Sequence, residues 1–293
     1  MEAIRTYKPT KLYISGDGPN PDRSSDVERC EEVRALTAQV DWECEVFESF
    51  AGRNLGCRAA VSSGISWFFE NEPEGIILED DCVPNDSFFK FLEEVVERFR
   101  DDKEIWGATG ANTFHLNVPS DRSYDFIPYA LIWGWATWAD RWEKYDKALE
   151  TWTTKWKSSH DFKFRHWQER AVFSRTLSKI KGNRGWDSWA FPWSWTVLSN
   201  RGLWIIPKAN MMTNIGLGAD ATHTTWEGPS SNWVTNDLEE VIHPHEIQNN
   251  PALADEVLLH QLSAPPTAFH WLTREVRTLA RNAYRRYKFL KRI

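Results

Sequence analysis

Long apolar runs are missing from this sequence. None approaches the roughly 20 residues that a helix needs to span a bilayer, so no transmembrane helix is expected. Cysteine is scarce. Cys30, Cys44, Cys57 and Cys82 are the whole set, and no two form a Cys-x-x-Cys pair. With no secretory leader read at the start, they are expected to be reduced thiols rather than a disulfide framework. Excess positive charge is missing too. A net charge of −7 argues against general nucleic-acid binding, which needs a basic face. Internal repeats and low-complexity tracts are absent.

Tryptophan, by contrast, is abundant. There are 18 in 293 residues, within an aromatic content of 14%. Trp stacks on flat ligand faces, sugar rings included, and is equally core material. A chain of this length builds one large domain or two small ones around a sizeable core.

The stretch that organises the chain is Gly75-Ile76-Ile77-Leu78-Glu79-Asp80-Asp81-Cys82-Val83-Pro84. An apolar run without alternation suits a strand buried on both faces. It stops in three carboxylates, which repel one another and are costly to desolvate. In open α/β sheets, ligands bind at the carboxyl ends of strands. One reading is a divalent-metal site that receives a phosphate-bearing ligand. The plainer reading is a solvated acidic turn.

Residues 2–7 read as the end of a helix, and Lys11 to Ser15 as a strand that stops in the turn Gly16-Asp17-Gly18-Pro19. Asp17 is turn chemistry or a second carboxylate on the ligand edge. Ser24 or Ser25 caps a helix to about Val40, and Glu43 to Phe47 is a short strand. Arg53-Asn54-Leu55-Gly56 then leads into a helical pattern, where guanidinium and backbone amides can hold an anion or simply cap the helix. Beyond the acids, Asn85 or Asp86 caps a helix to about Arg100 with Phe88, Phe89, Leu92, Val95, Val96 and Phe99 as its buried stripe. Ile105 to Gly110 is a strand. Four strand–helix alternations in about 110 residues predict a parallel α/β sheet.

The second half reads differently. Tyr129 to Trp138 is an aromatic strand or bend, residues 151–163 look irregular, and Phe164 to Ile180 is a helix. Asp187, among aromatics at a helix start, is either an N-cap or a general base in an apolar surround. Leu203 to Pro207 is a strand, and His223 sits in a loop after it. Residues 228–268 are polar and show little periodicity. Residues 271–293 carry eight Lys or Arg against the single acid Glu275, a charge of +7 that leaves −14 on the rest. Their apolar positions lie three or four apart. Such a basic amphipathic helix suits an anionic membrane surface or docking on its own domain.

In order and spacing, these elements resemble glycosyltransferases of the GT-A fold, over about residues 2–225. Glu79-Asp80-Asp81 resembles their metal-binding acidic element, in the form found in the Golgi N-acetylglucosaminyltransferase that begins complex N-glycans. Asp17 resembles the nucleotide-contacting acid after the second strand, and Arg53-Asn54-Leu55-Gly56 the region that faces the nucleotide. Trp186-Asp187-Ser188-Trp189 resembles the Trp-Asp-x-Trp element that carries the catalytic base. Trp133-Gly134-Trp135-Ala136-Thr137-Trp138 and the Gly-x-x-Ala-Thr-His-Thr ending at Thr224 are similar to a bacterial group of nucleotide-diphospho-sugar transferases, some named after a hemolytic protein.

The resemblance implies a three-layer GT-A fold with a mostly parallel central sheet over 1–228, and an extension over 229–293 with the basic helix at about 271–293. Met1 to Arg5 matches the first helix of that fold, so its first strand is expected to be missing. The implied activity is inverting, metal-dependent transfer of a sugar from a nucleotide-diphosphate donor, expected to be a UDP-sugar, to a glycan or lipid-linked acceptor. Mn²⁺ or Mg²⁺ would be held by Asp81, with His223 as a second ligand or diphosphate contact. Asp17, Arg53, Asn54, Glu79 and Asp80 would bind the nucleotide sugar. Asp187 would be the base, and Trp133, Trp135, Trp186 and Trp189 would stack on sugar or acceptor. A cytoplasmic place, peripheral on the inner membrane face through the basic helix, goes with this reading. Two competing readings are a glycoside hydrolase, which also uses paired carboxylates, and a catalytically dead sugar-binding protein.

Overall fold

A computed structural model of the chain describes residues 1–157, 162–183, 185–216, 233–262 and 264, with the backbone alone for 154–157. Helix α1 (Glu2–Tyr7) leads into strand β1 (Lys11–Gly16). Then come α2 (Asp26–Ala35), β2 (Glu45–Phe50), α3 (Cys57–Phe69), β3 (Glu74–Ile77), the short β4 (Cys82–Pro84), α4 (Asp86–Phe99) and β5 (Ile105–Thr109). The second half adds β6 (Tyr124–Ile127), β7 (Trp135–Trp138), α5 (Ala139–Trp142), α6 (Glu150–Lys157), α7 (Trp167–Lys181), α8 (Ala190–Ser199), β8 (Leu203–Pro207), β9 (Met212–Asn214) and α9 (Pro251–His260).

Two helices lie where irregular chain was expected. In α6, the Asp146 carboxylate accepts the Glu150 and Thr151 amides at 2.9 and 2.8 Å. In α9, Asn250 accepts the Leu253 amide at 3.1 Å, and Pro251 occupies the first turn. Both start on a side-chain cap; neither has a strong apolar period. The α4 stripe is as its spacing predicts, with Phe91 buried as well, and Asn85 is the cap, accepting the Phe88 amide at 3.2 Å.

The central sheet is not the mostly parallel one expected. Its five strands run in the order β3–β7–β5–β8–β6. Only β5 and β8 are parallel; the other three pairings are antiparallel. The reason is β7, which turns back between β3 and β5, strands that the alternation in sequence would make neighbours. Gly134, at φ 60°, makes the turn into it, and a Cβ there would collide with Met212 and Phe88. All four residues of β7 are buried, so the segment reads as a strand without revealing its direction. Strands β1 and β2 are parallel, from Lys11 opposite Glu45 to Gly16 opposite Phe50, and form a separate sheet. The β4–β9 pair makes a third. The fold is thus mixed α/β with a mixed, mostly antiparallel central sheet.

Helices pack on both faces of the central sheet. One core holds α4 with Tyr124, Phe126 and Met212. The other gathers Trp135, Trp142, Trp189, Trp193, Trp195 and Trp204, with Trp135 and Trp189 stacked at 5.6 Å between ring centroids. Among the described residues nine tryptophans are buried and serve as core, where burying a large apolar side chain is worth roughly 1.5–3 kcal/mol. The chain past residue 232 returns to this same body. The Asn236 amide donates to the Asn210 carbonyl at 2.8 Å, and α9 buries Leu253, Ala254, Val257 and Leu258 in the Trp-rich core. The basic helix expected over 271–293 lies outside the described residues. Among the described residues, no helix is long and apolar enough to cross a membrane.

Candidate functional site

The turn after β1 fastens the loop before α3. A Cβ on Gly18 would overlap the Arg53 backbone, so only glycine lets the two loops touch. The Asp17 carboxylate accepts the amides of Gly18 (2.8 Å), Leu55 (2.8 Å) and Gly56 (3.1 Å), and the Asn54 side-chain amide (3.0 Å). Asn54 also donates to the Gly18 carbonyl at 3.3 Å. In this arrangement Asp17 and Asn54 hold the loop, and Arg53 is exposed at its tip.

Asp187 reaches the same place from 129 residues away, accepting the Arg58 amide at 3.3 Å. Its other oxygen stands 3.8 Å from the Arg58 guanidinium. Gly56, at φ 82°, lies beneath it, and a Cβ there would sit 2.6 Å from Asp187 Oδ2. Asp187 therefore caps α3 rather than α8, whose N-cap is Trp189. The expected apolar surround is absent. The side chain is about half exposed (49%) and paired with an arginine.

The acids after β3 complete the arrangement. Glu79 Oε1 is buried with no hydrogen-bond partner. Burial, then the charges of Asp81 and Asp80, push the Glu79 carboxyl up to about 7, which the Trp189 indole partly offsets. Asp80 is exposed. The Asp81 carbonyl accepts the Ile215 amide at 2.8 Å, and its carboxylate takes the weak Cys82 thiol at 3.6 Å. Gly216 lies so close that a Cβ would come 2.5 Å from Asp81 Oδ2.

Cys57, the first residue of α3, ties these groups together. Burial, then the charges of Glu79, Asp187, Asp17 and Asp80, push its thiol up to about 11. The structure thus brings carboxylates from three distant segments around the start of α3. Asp17, Glu79, Asp80 and Asp81 line a cleft of about 1390 Å³ that runs between β1 and β3. Among the described residues, no three His, Cys, Asp or Glu side chains are arranged to hold a metal ion. His223 lies outside the described residues.

Of the aromatic candidates, Trp133 lines the cleft and Trp186 is exposed (43%). Trp135 and Trp189 are corrections to the sequence reading. Both are sealed in the core, with 0% and 2% exposure, and offer no face to a sugar. Cys57, Arg58 and Gly216 were not singled out from sequence. Only Arg58 had a signal, its place as the second residue of the helix after the Arg-Asn-Leu-Gly run.

No family model matches the chain, and no curated protein matches it.

Proposed function

We propose that the chain is a metal-dependent glycosyltransferase of GT-A type that takes a nucleotide-diphosphate sugar, a UDP-sugar in the first instance. One observation carries the reading. Asp17, Glu79, Asp80 and Asp187 converge on the start of α3, and the first three line the cleft between β1 and β3. Like charges gathered this closely call for a cation or cationic partner, and only Arg58 provides positive charge to Asp187 among the described contacts.

The donor set suits a hard cation such as Mn²⁺ or Mg²⁺. It consists of carboxylate oxygens, one of them buried and without a partner. Mg²⁺ is commonly held by one or two carboxylates, with substrate phosphates and water completing the shell, so a ready-made protein trio is not required. Asp81 would be the ligand. When bound, the cation offsets the charge on the diphosphate leaving group. Glu79 and Asp80 face ribose or sugar, and Arg53 faces phosphate. Asp187, exposed beside the cleft, takes the proton from the acceptor hydroxyl as its oxygen attacks the anomeric carbon from the opposite side. Trp133 and Trp186 are the aromatic surfaces left to meet sugar rings. The basic stretch over 271–293 would hold the enzyme to an anionic membrane face.

Release of nucleoside diphosphate from a panel of nucleotide sugars, with Mn²⁺ and without, tests this. Asp187→Asn lowers turnover about 10²–10⁴-fold, the usual weight of a general base. Unchanged turnover in that variant removes Asp187 from the chemistry. Cleavage of a chromogenic glycoside without any nucleotide sugar would replace the transferase reading with a hydrolase.

A further inference from the structure

A second cavity, of about 510 Å³, lies away from the acids. Strand directions place it. β3 runs antiparallel to β7, and β7 to β5, so β3, β5 and β8 all point the same way. Glu79, Asp80 and Asp81 follow the end of β3. The second cavity is lined instead by Gly202 and Leu203, where β8 begins, and by Pro128, just past β6, which runs antiparallel to β8. It therefore lies at the opposite edge of the central sheet. β8 has five residues, so about 17 Å of strand separates the two edges.

Its charge is the reverse of the cleft's. Lys163, Arg165 and Arg201 line it against one acid, Glu169. That acid is fully buried and already engaged, accepting the Tyr129 hydroxyl at 2.7 Å and the Arg165 amide at 2.8 Å. Arg165 donates through Nη2 to Asp255. Its Nε, 3.8 Å from Glu169, and its Nη1 are buried without a hydrogen-bond partner. Glu169 and Asp255 thus offset Arg165. Lys163 and Arg201 are exposed, and among the described residues neither side chain makes an ion pair or a hydrogen bond.

Arg201 also stands where a glycine is expected. Helix α8 ends in a Schellman turn, with the Gly202 amide donating to the Val197 carbonyl at 2.9 Å and the Arg201 amide to the Leu198 carbonyl at 3.0 Å. The residue at the place of Arg201 is left-handed and usually Gly, sometimes Asn. Arg201 has a φ of 58°. The glycine comes one place later, at 202, where a Cβ would strike Trp106. A strained backbone kept for an arginine points to use of its side chain. Asn249, also in the lining, has a buried side-chain oxygen with no partner, and such an acceptor calls for a donor.

We propose that this cavity binds a small phosphate monoester that also carries a hydroxyl group. Such an ester bears a charge of about −1.5 to −2 near neutral pH, which matches the two uncompensated cations. Guanidinium and ammonium groups hold phosphate through charge-assisted hydrogen bonds. The hydroxyl gives Asn249 its donor, and Pro128, Phe162 and Leu198 offer apolar wall to the carbon body. The volume suits a small-molecule site, for which about 300–1,000 Å³ is usual. The inference does not rest on the transferase reading. Its readout involves neither metal, nucleotide nor turnover, so the two fail separately.

The test is titration with glucose 6-phosphate, followed by amide NMR shifts and without any divalent cation. The expected Kd is about 1 mM or tighter, with shifts at Lys163, Gly202 and Asn249 and none at Asp17 or Glu79. Arg201→Gly relieves the left-handed residue, so its melting temperature is no lower than the parent's. It nonetheless weakens binding about tenfold, and Lys163→Gln does the same. Inorganic phosphate shifts the same amides but binds more weakly, since it has no carbon body. Malonate, a dicarboxylate of similar charge, binds more weakly than the ester. Unchanged affinity in Arg201→Gly overturns the proposal. So do shifts confined to the acid cleft, and so does a failure of both glucose 6-phosphate and inorganic phosphate to bind. Malonate binding as tight as that of the ester also overturns it, by showing a site for dianions with no preference for phosphate.

Discussion

Cys57 reports on the acids around it. With the thiol pushed from 9.0 up to about 11, roughly 100-fold less thiolate is present near neutral pH. Alkylation of Cys57, read by peptide mass mapping, is therefore expected to run about 100-fold slower than that of a short peptide thiol. Asp187→Asn speeds it. Alkylation as fast as in the peptide would mean that the acids do not surround this position. Glu79 gives the pH counterpart. Its folded value of about 7 stands above the ordinary 4.5, so the folded chain keeps this proton longer than the unfolded chain does. The stability it contributes is full below about pH 4.5 and is lost as pH rises through about 7. Glu79→Gln removes that loss. The variant should match the parent near pH 4 and exceed it above pH 7 by on the order of 2 kcal/mol. Denaturant unfolding across this range measures the difference, and parallel pH profiles would contradict it. Part of this site was legible in sequence. The three acids in a row after an aliphatic run announce charge at a strand end. Asp187 stood out locally as an acid among aromatics at a helix start, but nothing local says that it caps a helix 129 residues upstream.

At the scale of elements, Gly56 links α3 to both Asp17 and Asp187. Its φ of 82° is a glycine conformation, and the space where a Cβ would stand is taken by Asp187. Gly56→Ala should destabilise the fold by about 1–2 kcal/mol and displace Asp187 from Arg58. The displacement is separable from the stability loss, because Cys57 alkylation then accelerates under native conditions. Unchanged alkylation would mean that Asp187 keeps its place. Helix α4 was readable because six apolar residues fall on one face, and its cap is one of the two residues offered for it. The direction of β7 was not readable. A fully buried tetrapeptide, Trp135 to Trp138, carries no mark of which way it runs, and its position depends on the turn at Gly134. Helices α6 and α9 were hidden for the opposite reason. Each begins on a capping carboxylate or amide, and the aromatic and polar residues around them blur any period.

At the scale of the whole molecule, one cleft carries the proposed chemistry. Its acid end, past the carboxyl ends of β1 and β3, holds Asp17, Glu79, Asp80 and Asp81. The sequence showed that strands and helices alternate through the first third. It did not show that β1 and β2 stand apart from the central sheet, because strand partners are chosen across the chain and leave no local trace. Nor does it reveal the sugar or the acceptor, whose recognition depends on side chains converging from separate segments. The central claim is that the acid end binds a nucleotide diphosphate through a cation. Calorimetric titration of UDP, GDP and CMP, each with and without Mn²⁺, on the parent chain and on Asp81→Ala tests it most directly. The account predicts Mn²⁺-dependent binding of one diphosphate, with UDP the expected one, and its loss in Asp81→Ala. Binding that ignores Mn²⁺ or survives the substitution would contradict the account, and so would the absence of binding by any of the three.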